Sequence, residues 1–285
     1  MSTLFPEEEK VVEIQGYDAL EWAIKEYDPS HIFGLFSGGH DSLCACHVAS
    51  KHPRFSGCVH INTTIGIPET RQFVRDTCQK FRWPLKEYSP PVSYRDIVLK
   101  WGFPGPAGHT VIYNRLKERC LRSLIREYKK GFKDRIILVT GVRKAESRRR
   151  MGYVETIQRA GATVWVAPIA EWTNDIKAKY IVDNLLPRNP VVDLLGMSGE
   201  CLCGAFAGSK TGSSELELAL IRSHFPEAAA VIDNLEADAR TARVPCKWGV
   251  PPPAIDDPYQ QAILFEGLVN SRYDLCSSCI AQRSG

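Results

Sequence analysis

Residues 35–43 read Leu-Phe-Ser-Gly-Gly-His-Asp-Ser-Leu. Two glycines, two serines and an aspartate follow directly on the apolar run His-Ile-Phe-Gly-Leu-Phe of residues 31–36. That run is short and bounded by polar residues, so it reads as a buried strand. The stretch DSLCACHVASKH after it has the small and apolar residues of a packed helix. The glycine pair therefore sits at a strand-to-helix turn. There, backbone N–H groups and the positive end of the helix dipole face outward and favour an anion. Glycine lets the chain pass close to that anion, and the hydroxyls of Ser37 and Ser42 can donate to it. An ordinary tight turn with Asp41 near the helix start is the competing reading, and it weakens only if the rest of the chain supplies a nucleotide site.

Working outward, strand patterns recur at residues 31–36, 57–62, 85–88, 135–140 and 163–167. Helical patterns occupy 16–27, 41–51, 69–81, 113–129 and 175–185. Strands alternating with helices predict an α/β fold, a parallel five-stranded sheet sandwiched by helices, with ligands at the carboxyl ends of the strands. Residues 89–110, SPPVSYRDIVLKWGFPGPAGHT, are rich in Pro and Gly and read as the longest irregular piece, a lid-like loop. After Leu195 the character changes to GMSGECLCGAFAGSKTGSS, then a helix-like stretch over 214–240, then a proline-rich segment leading to Cys276-x-x-Cys279. This predicts two units, 1–195 as the nucleotide domain and 196–285 as a cysteine module.

A chain of 285 residues can bury one large core and carry a smaller appendage. Its charged fraction of 24% and hydrophobic fraction of 44% are those of a soluble globular protein, which excludes a fibrous or disordered class. No apolar run approaches the roughly 18 residues of a membrane span. The N-terminus, MSTLFPEEEK, is acidic and lacks an apolar signal region, so a cytoplasmic location without membrane partners is expected. In a reducing compartment ten cysteines point to metal or redox chemistry rather than disulfides. Charge is unevenly placed. Residues 108–150 hold 14 Lys/Arg against 4 Asp/Glu, a net of +10, which leaves −7 for the rest of a chain whose net charge is +3. Such a segment suits a polyphosphate or a nucleic-acid backbone, or else is a solvated helix face.

Three further stretches follow predicted strands: HINTTIGIPET at 60–70, LVTGVRKAESRRR at 138–150 and WVAPIAEWTNDIKAKYI at 165–181. With them the sequence resembles the adenine-nucleotide alpha hydrolases, or N-type ATP pyrophosphatases, in their phosphoadenylylsulfate reductase-like branch. SGGHDS is similar to that family's Ser-Gly-Gly-x-Asp-Ser loop. NTTIGIPET resembles its Asp-Thr-Gly-x-x-x-Pro-Glu-Thr segment, TGVRKAES its Gly-x-Arg-x-x-Glu-Ser stretch, and PIAEWTNDIKAKYI its Pro-Ile-x-x-Trp segment. The matches fall in order from about Phe33 to Ile181. The resemblance implies ATP with Mg2+ as ligand. Ser37, Gly38, Gly39, Asp41 and Ser42 would surround the phosphates, with Gly141 beside them. Asn62, where the family often has Asp, would lie near the ribose or adenine. Arg143 would neutralise phosphate through its bidentate guanidinium, with Glu146 as an orienting partner. Lys117 would face the phosphates or else be a solvated helix lysine, and Arg148, Arg149 and Arg150 a basic surface turn.

Departures direct the functional reading. Family reductases carry a Glu-Cys-Gly-x-His nucleophile motif, and iron–sulfur members adjacent cysteines; neither occurs here. Cys201-x-Cys203 and Cys276-x-x-Cys279 supply four thiolates, which suit a [4Fe–4S] cluster or zinc, and related sulfur-handling proteins favour iron–sulfur. Cys120 or Cys246 is available to replace one of the four or to carry a persulfide. Cys44, Cys46, Cys58 and Cys78 read as small buried hydrophobes. The expected activity is an ATP pyrophosphatase that adenylylates an acceptor for sulfur transfer. Similarity in style to the pyrophosphatase subunits of DNA phosphorothioation systems implies DNA as acceptor, a cysteine desulfurase as sulfur donor, and DNA-modification proteins as partners. Adenylylsulfate or phosphoadenylylsulfate reduction is the runner-up, and a non-catalytic nucleotide-binding scaffold with a structural cluster the third reading.

Overall fold

The computed structural model describes residues 16–146, 155–244 and 247–250. Among these residues six strands form one sheet: β1 (His31–Leu35), β2 (Phe55–Ile61), β3 (Leu85–Tyr88), β4 (Ile136–Val139), β5 (Ile157–Ala160) and β6 (Thr163–Val166), in the spatial order β3-β2-β1-β4-β6-β5. All neighbours pair in parallel except β5, which runs antiparallel to β6. The five parallel strands lie where the apolar runs predict them. The sixth corrects the strand count. Its sequence, Ile-Gln-Arg-Ala, has no apolar run because it is a half-buried edge, paired with β6 across a two-residue turn between Ala160 and Thr163.

The chain moves outward from β1 through β2 to β3, then returns to the other side of β1 for β4 and β6. The order reverses between β1 and β4, which makes their carboxyl ends the binding crevice of an open α/β sheet. The described residues also form ten α-helices: α1 (Gly16–Tyr27), α2 (His40–Ser50), α3 (Pro68–Phe81), α4 (Tyr94–Trp101), α5 (His109–Tyr113), α6 (Arg119–Tyr128), α7 (Asn174–Asp183), α8 (Pro190–Leu195), α9 (Ser214–His224) and α10 (Pro226–Thr241). Strand side chains alternate between faces. Ile32, Ile137, Val139, Val164 and Val166 pack with residues of α1, α2, α3 and α7, while Phe33, Ile136 and Leu138 pack on Cys120, Leu121 and Leu124 of α6. Burying each large aliphatic side chain stabilises by about 1.5–3 kcal/mol.

A third core lies off the sheet. Tyr94, Ile97 and Val98 of α4, Leu116, and Val191 and Leu195 of α8 pack with Leu202, Cys203, Ile221, Ile232 and Leu235. This core corrects the reading of residues 89–110 as wholly irregular. Ser93 accepts from Asp96 N–H while Asp96 accepts from Ser93 N–H, a capping box that starts α4. The Tyr94 hydroxyl donates to Cys203 O at 2.6 Å and ties α4 down. Two predicted helices are divided. Residues 113–129 contain a π-helical turn, Asn114–Glu118, between α5 and α6. The 214–240 stretch breaks at Pro226, which has no N–H to continue α9 and instead opens α10. Among the described residues no helix is long and apolar enough to cross a membrane.

Candidate active site

The loop at residues 37–42 joins β1 to α2. Gly38 has φ +81, a conformation L side chains rarely adopt, and a Cβ there would fall 2.6 Å from Thr70 Cγ2. Gly39 is the N-cap of α2 and brings no side-chain acceptor, so no cap consumes the first-turn N–H groups. The serines are arranged among themselves. Ser42 Oγ donates to Gly39 O at 2.8 Å and accepts from Ser37 N–H at 3.3 Å, and the two hydroxyls lie 3.1 Å apart. Gly141, just past β4, lets that strand's exit press on α2: a Cβ would lie 2.5 Å from Asp41 C and Ser42 N. The loop is anchored from behind by Asn189, whose Nδ2 donates to Gly38 O at 3.0 Å and whose N–H donates to His40 Nε2 at 3.1 Å. Burial lowers the His40 pKa, consistent with a neutral ring whose Nε2 accepts.

Asp41 is the electrostatic centre. Its Oδ1 lies 2.9 Å from Lys177 Nζ and 3.0 Å from Arg143 Nε, and Arg143 Nη2 donates to Oδ2 at 3.3 Å. The Oδ1–Nε contact lacks hydrogen-bond alignment, so it acts as charge attraction. Arg143 is 2% exposed and also donates to Trp172 O at 2.9 Å and Asn174 Oδ1 at 3.1 Å. It therefore stands behind Asp41 with most of its donors engaged. Lys117, on the π-helical turn, pairs with Glu200 at 2.9 Å. Burial works against its charge, but the Glu200 carboxylate outweighs this and holds Lys117 above the ordinary lysine range.

These groups face one cavity of about 610 Å³, within the roughly 300–1,000 Å³ of small-molecule sites. Leu35, Val59, Ile61 and Leu121 give it an apolar side, while Ser37, Gly39, Asp41, Ser42, Lys117, Gly141 and Arg143 line it as well. The structure thus brings together all but one of the nucleotide-site residues proposed from sequence, with Gly38 in the loop backbone. Asn62 is the exception. Its Oδ1 accepts from Thr64 N–H at 3.0 Å, and it borders a separate hollow of about 280 Å³ with Arg71 and Leu202.

Cys201 and Cys203 follow Glu200 of the cavity wall, Cys203 buried and Cys201 partly so. The neighbouring Cys203, and then Lys117, hold Cys201 below the ordinary thiol range, while Cys201 and burial push Cys203 up. Among the described residues no three His, Cys, Asp or Glu side chains converge on a metal position. Cys276, Cys279, Cys246 and Arg148, Arg149 and Arg150 lie outside the described residues, and of Glu146 only the backbone, in a short 3-10 turn, is described. Cys120 is buried on α6, donates to Leu116 O at 3.2 Å, and is pushed up to about 11 by burial. Cys44, Cys46, Cys58 and Cys78 are buried free thiols. Sequence reasoning missed Lys177, Asn189, Glu200 and Lys210. For Lys177 a signal existed: Thr173 caps α7, which puts Lys177 one turn in, at the end facing α2.

A profile of the phosphoadenosine phosphosulfate reductase domain matches residues 31–195. The phosphoadenosine 5'-phosphosulfate reductase of Thiocapsa roseopersicina is 25% identical over 183 residues, covering 62% of this chain and 72% of that protein. The same-named protein of Xanthomonas euvesicatoria pv. vesicatoria is 26% identical over 173 residues, 60% of this chain and 69% of that protein. The chain is also similar to the phosphoadenylyl-sulfate reductase structure from Candida auris, a phosphate complex, at 20% identity and a TM-score of 0.49, covering 65% of this chain and 87% of that one. The domain match spans more than half of the chain and coincides with the sheet, the 37–42 loop and α8: the chain belongs to the phosphoadenosine phosphosulfate reductase domain family, within the adenine-nucleotide alpha hydrolase-like superfamily.

Proposed function

We propose that the chain is an ATP pyrophosphatase that activates an acceptor for sulfur transfer, with the nucleotide phosphates on the 37–42 loop. The observation that carries this reading is the uncapped N-terminus of α2 opening, between Ser37 and Ser42, onto a cavity lined by four cations and only two carboxylates. The four are Lys117, Arg143, Lys177 and Lys210, against Asp41 and Glu200. The adenine ring fits the apolar side formed by Leu35, Val59, Ile61 and Leu121. Both carboxylates are already held by cations. Mg2+ therefore enters as part of the nucleotide, on its phosphates.

In this reading an acceptor oxygen attacks the α-phosphorus, pyrophosphate leaves, and a sulfur nucleophile then displaces AMP. The chain contributes fixed donors where charge develops: the loop N–H groups, the serine hydroxyls and the lysines. Arg143 and Lys177 fix Asp41, and through it the start of α2. Residues 1–195 carry the phosphate loop and most of the cavity, and 196–285, the cysteine module, add Ser198, Glu200 and Lys210 to its wall. There, Cys201 and Cys203, two free thiols one residue apart, offer half of a four-thiolate site that Cys276 and Cys279 would complete. A [4Fe–4S] cluster held there would supply electron transfer, and zinc would supply structure alone. The acceptor is the DNA backbone, with sulfur from a cysteine desulfurase. This assignment is supported by the exposed Arg119, Arg126, Lys130 and Lys133 along and after α6.

Reduction of adenylylsulfate or phosphoadenylylsulfate is a second reading, favoured by the reductase names of the relatives. Against it, the 285 residues contain no Glu-Cys-Gly-x-His motif. Parallel assays separate the readings: pyrophosphate release from ATP with candidate acceptors and a desulfurase, and sulfite release from both sulfonucleotides with thioredoxin. Acceptor-dependent pyrophosphate without sulfite is the expected result. Sulfite without pyrophosphate establishes the reductase, and tight ATP binding with neither product establishes a scaffold.

A further inference from the structure

The family match ends at residue 195, but the cavity does not. Gly196, Met197, Ser198, Glu200 and Lys210 form its outer wall. That wall is fastened to the loop after β2. Ile67 N–H donates to Gly199 O at 2.8 Å, Leu202 N–H to Ile65 O at 2.7 Å, and Thr63 Oγ1 to Glu200 O at 2.7 Å. Thr70 Oγ1 adds a bond to Ser198 O at 2.5 Å. The wall is therefore a built part of the site.

Three of the four cations around the cavity are already answered. Arg143 and Lys177 share Asp41, and Lys117 holds Glu200. Lys210 lines the same cavity, is exposed, and has no carboxylate partner among the described residues. Its position is set by a turn that is itself hydrogen-bonded: Gly212 N–H donates to Gly208 O at 2.7 Å and Gly208 N–H to Glu217 Oε2 at 2.7 Å. Its Cβ lies 3.9 Å from where a side chain on Gly196, the C-cap of α8, would begin.

We propose that Lys210 is a specificity residue that holds a second phosphoryl group of the bound nucleotide, opposite the one seated on the 37–42 loop. The inference rests on the nucleotide reading above and extends it to a wall outside the matched domain. An ammonium on a four-carbon stem is a mobile point charge, suited to a phosphate dianion at a cavity rim. Two nucleotides present that group: a triphosphate chain on the 5' side and a monoester on the ribose.

Calorimetric binding of AMP, ATP and adenosine 3',5'-bisphosphate to the full chain and to Lys210→Gln tests this, with Lys210→Arg as the conservative control. Lys210→Gln is expected to weaken ATP or the bisphosphate roughly 10- to 100-fold, as for loss of a charge-assisted hydrogen bond. AMP binding stays unchanged, and Lys210→Arg recovers most of the loss. Whichever nucleotide loses affinity identifies the phosphoryl group. Equal affinities in wild type and Lys210→Gln for all three, or an equal loss for AMP, overturn the assignment. A wild-type chain that binds none of them overturns the nucleotide reading itself, a separate outcome. Lys210 is exposed, so an unchanged melting temperature verifies that the variant is folded.

Discussion

Asp41 joins three parts of the molecule: the start of α2, the exit of β4 through Arg143, and the first turn of α7 through Lys177. Arg143 is almost fully enclosed, so removing its counter-charge leaves a buried cation unpaired, at a cost of about 3–5 kcal/mol. Asp41→Ala is therefore expected to lower the urea midpoint sharply, and Asp41→Asn to fall between it and wild type. If Asp41→Ala has wild-type stability, the triad has no structural role. His47 makes a pH prediction. Its Nδ1 lies 2.8 Å from the Tyr180 hydroxyl, and burial, then Lys51, lowers its pKa from 6.5 to about 4. A group depressed in this way binds its proton more readily unfolded, so its stabilising effect is complete above pH 6.5 and is lost as pH falls towards 4. The loss is at most about 3 kcal/mol for a shift of this size. Urea unfolding of wild type and His47→Gln across that range checks it: their difference should narrow as pH falls, and a pH-independent difference contradicts it.

At the scale of elements, the parts that the sequence made legible are those coded locally. Short apolar runs mark β1, β2, β4 and β6, and the Ser-Gly-Gly-His-Asp-Ser turn marks the junction of β1 and α2. The edge strand β5 was hidden because half-burial leaves no apolar run, and α4 because the prolines and glycines on either side of it dominate the composition of residues 89–110. The capping box Ser93-x-x-Asp96 was nevertheless present in the sequence. Ser93→Ala removes it, and a loss of about 0.5–2 kcal/mol in folding free energy is expected from chemical denaturation. An unchanged midpoint means that packing of Tyr94, Ile97 and Val98 alone holds α4. Glu200 was illegible for a different reason. A glutamate between glycine and cysteine looks solvated until tertiary structure sets it against Lys117.

For the whole molecule, the site is assembled from both sides of Leu195: the loop, β4 exit and α7 on one side, Ser198, Glu200 and Lys210 on the other. The proposed DNA acceptor belongs to this scale, since Arg119, Arg126, Lys130 and Lys133 stand exposed along and after α6. DNA affinity should fall steeply with salt, because each neutralised phosphate releases counterions. Replacing Arg126, Lys130 and Lys133 by Gln should flatten that slope and leave ATP affinity unchanged. An unaltered slope removes this face from the proposal. The central claim, that nucleotide phosphates sit where β1 passes into α2, is tested most directly by a crystal structure of the chain with α,β-methylene-ATP. The predicted result is phosphate oxygens about 2.7–3.2 Å from the first-turn N–H groups of α2 and the Ser37 and Ser42 hydroxyls. Phosphates bound elsewhere, with the 37–42 loop left to solvent, would contradict it.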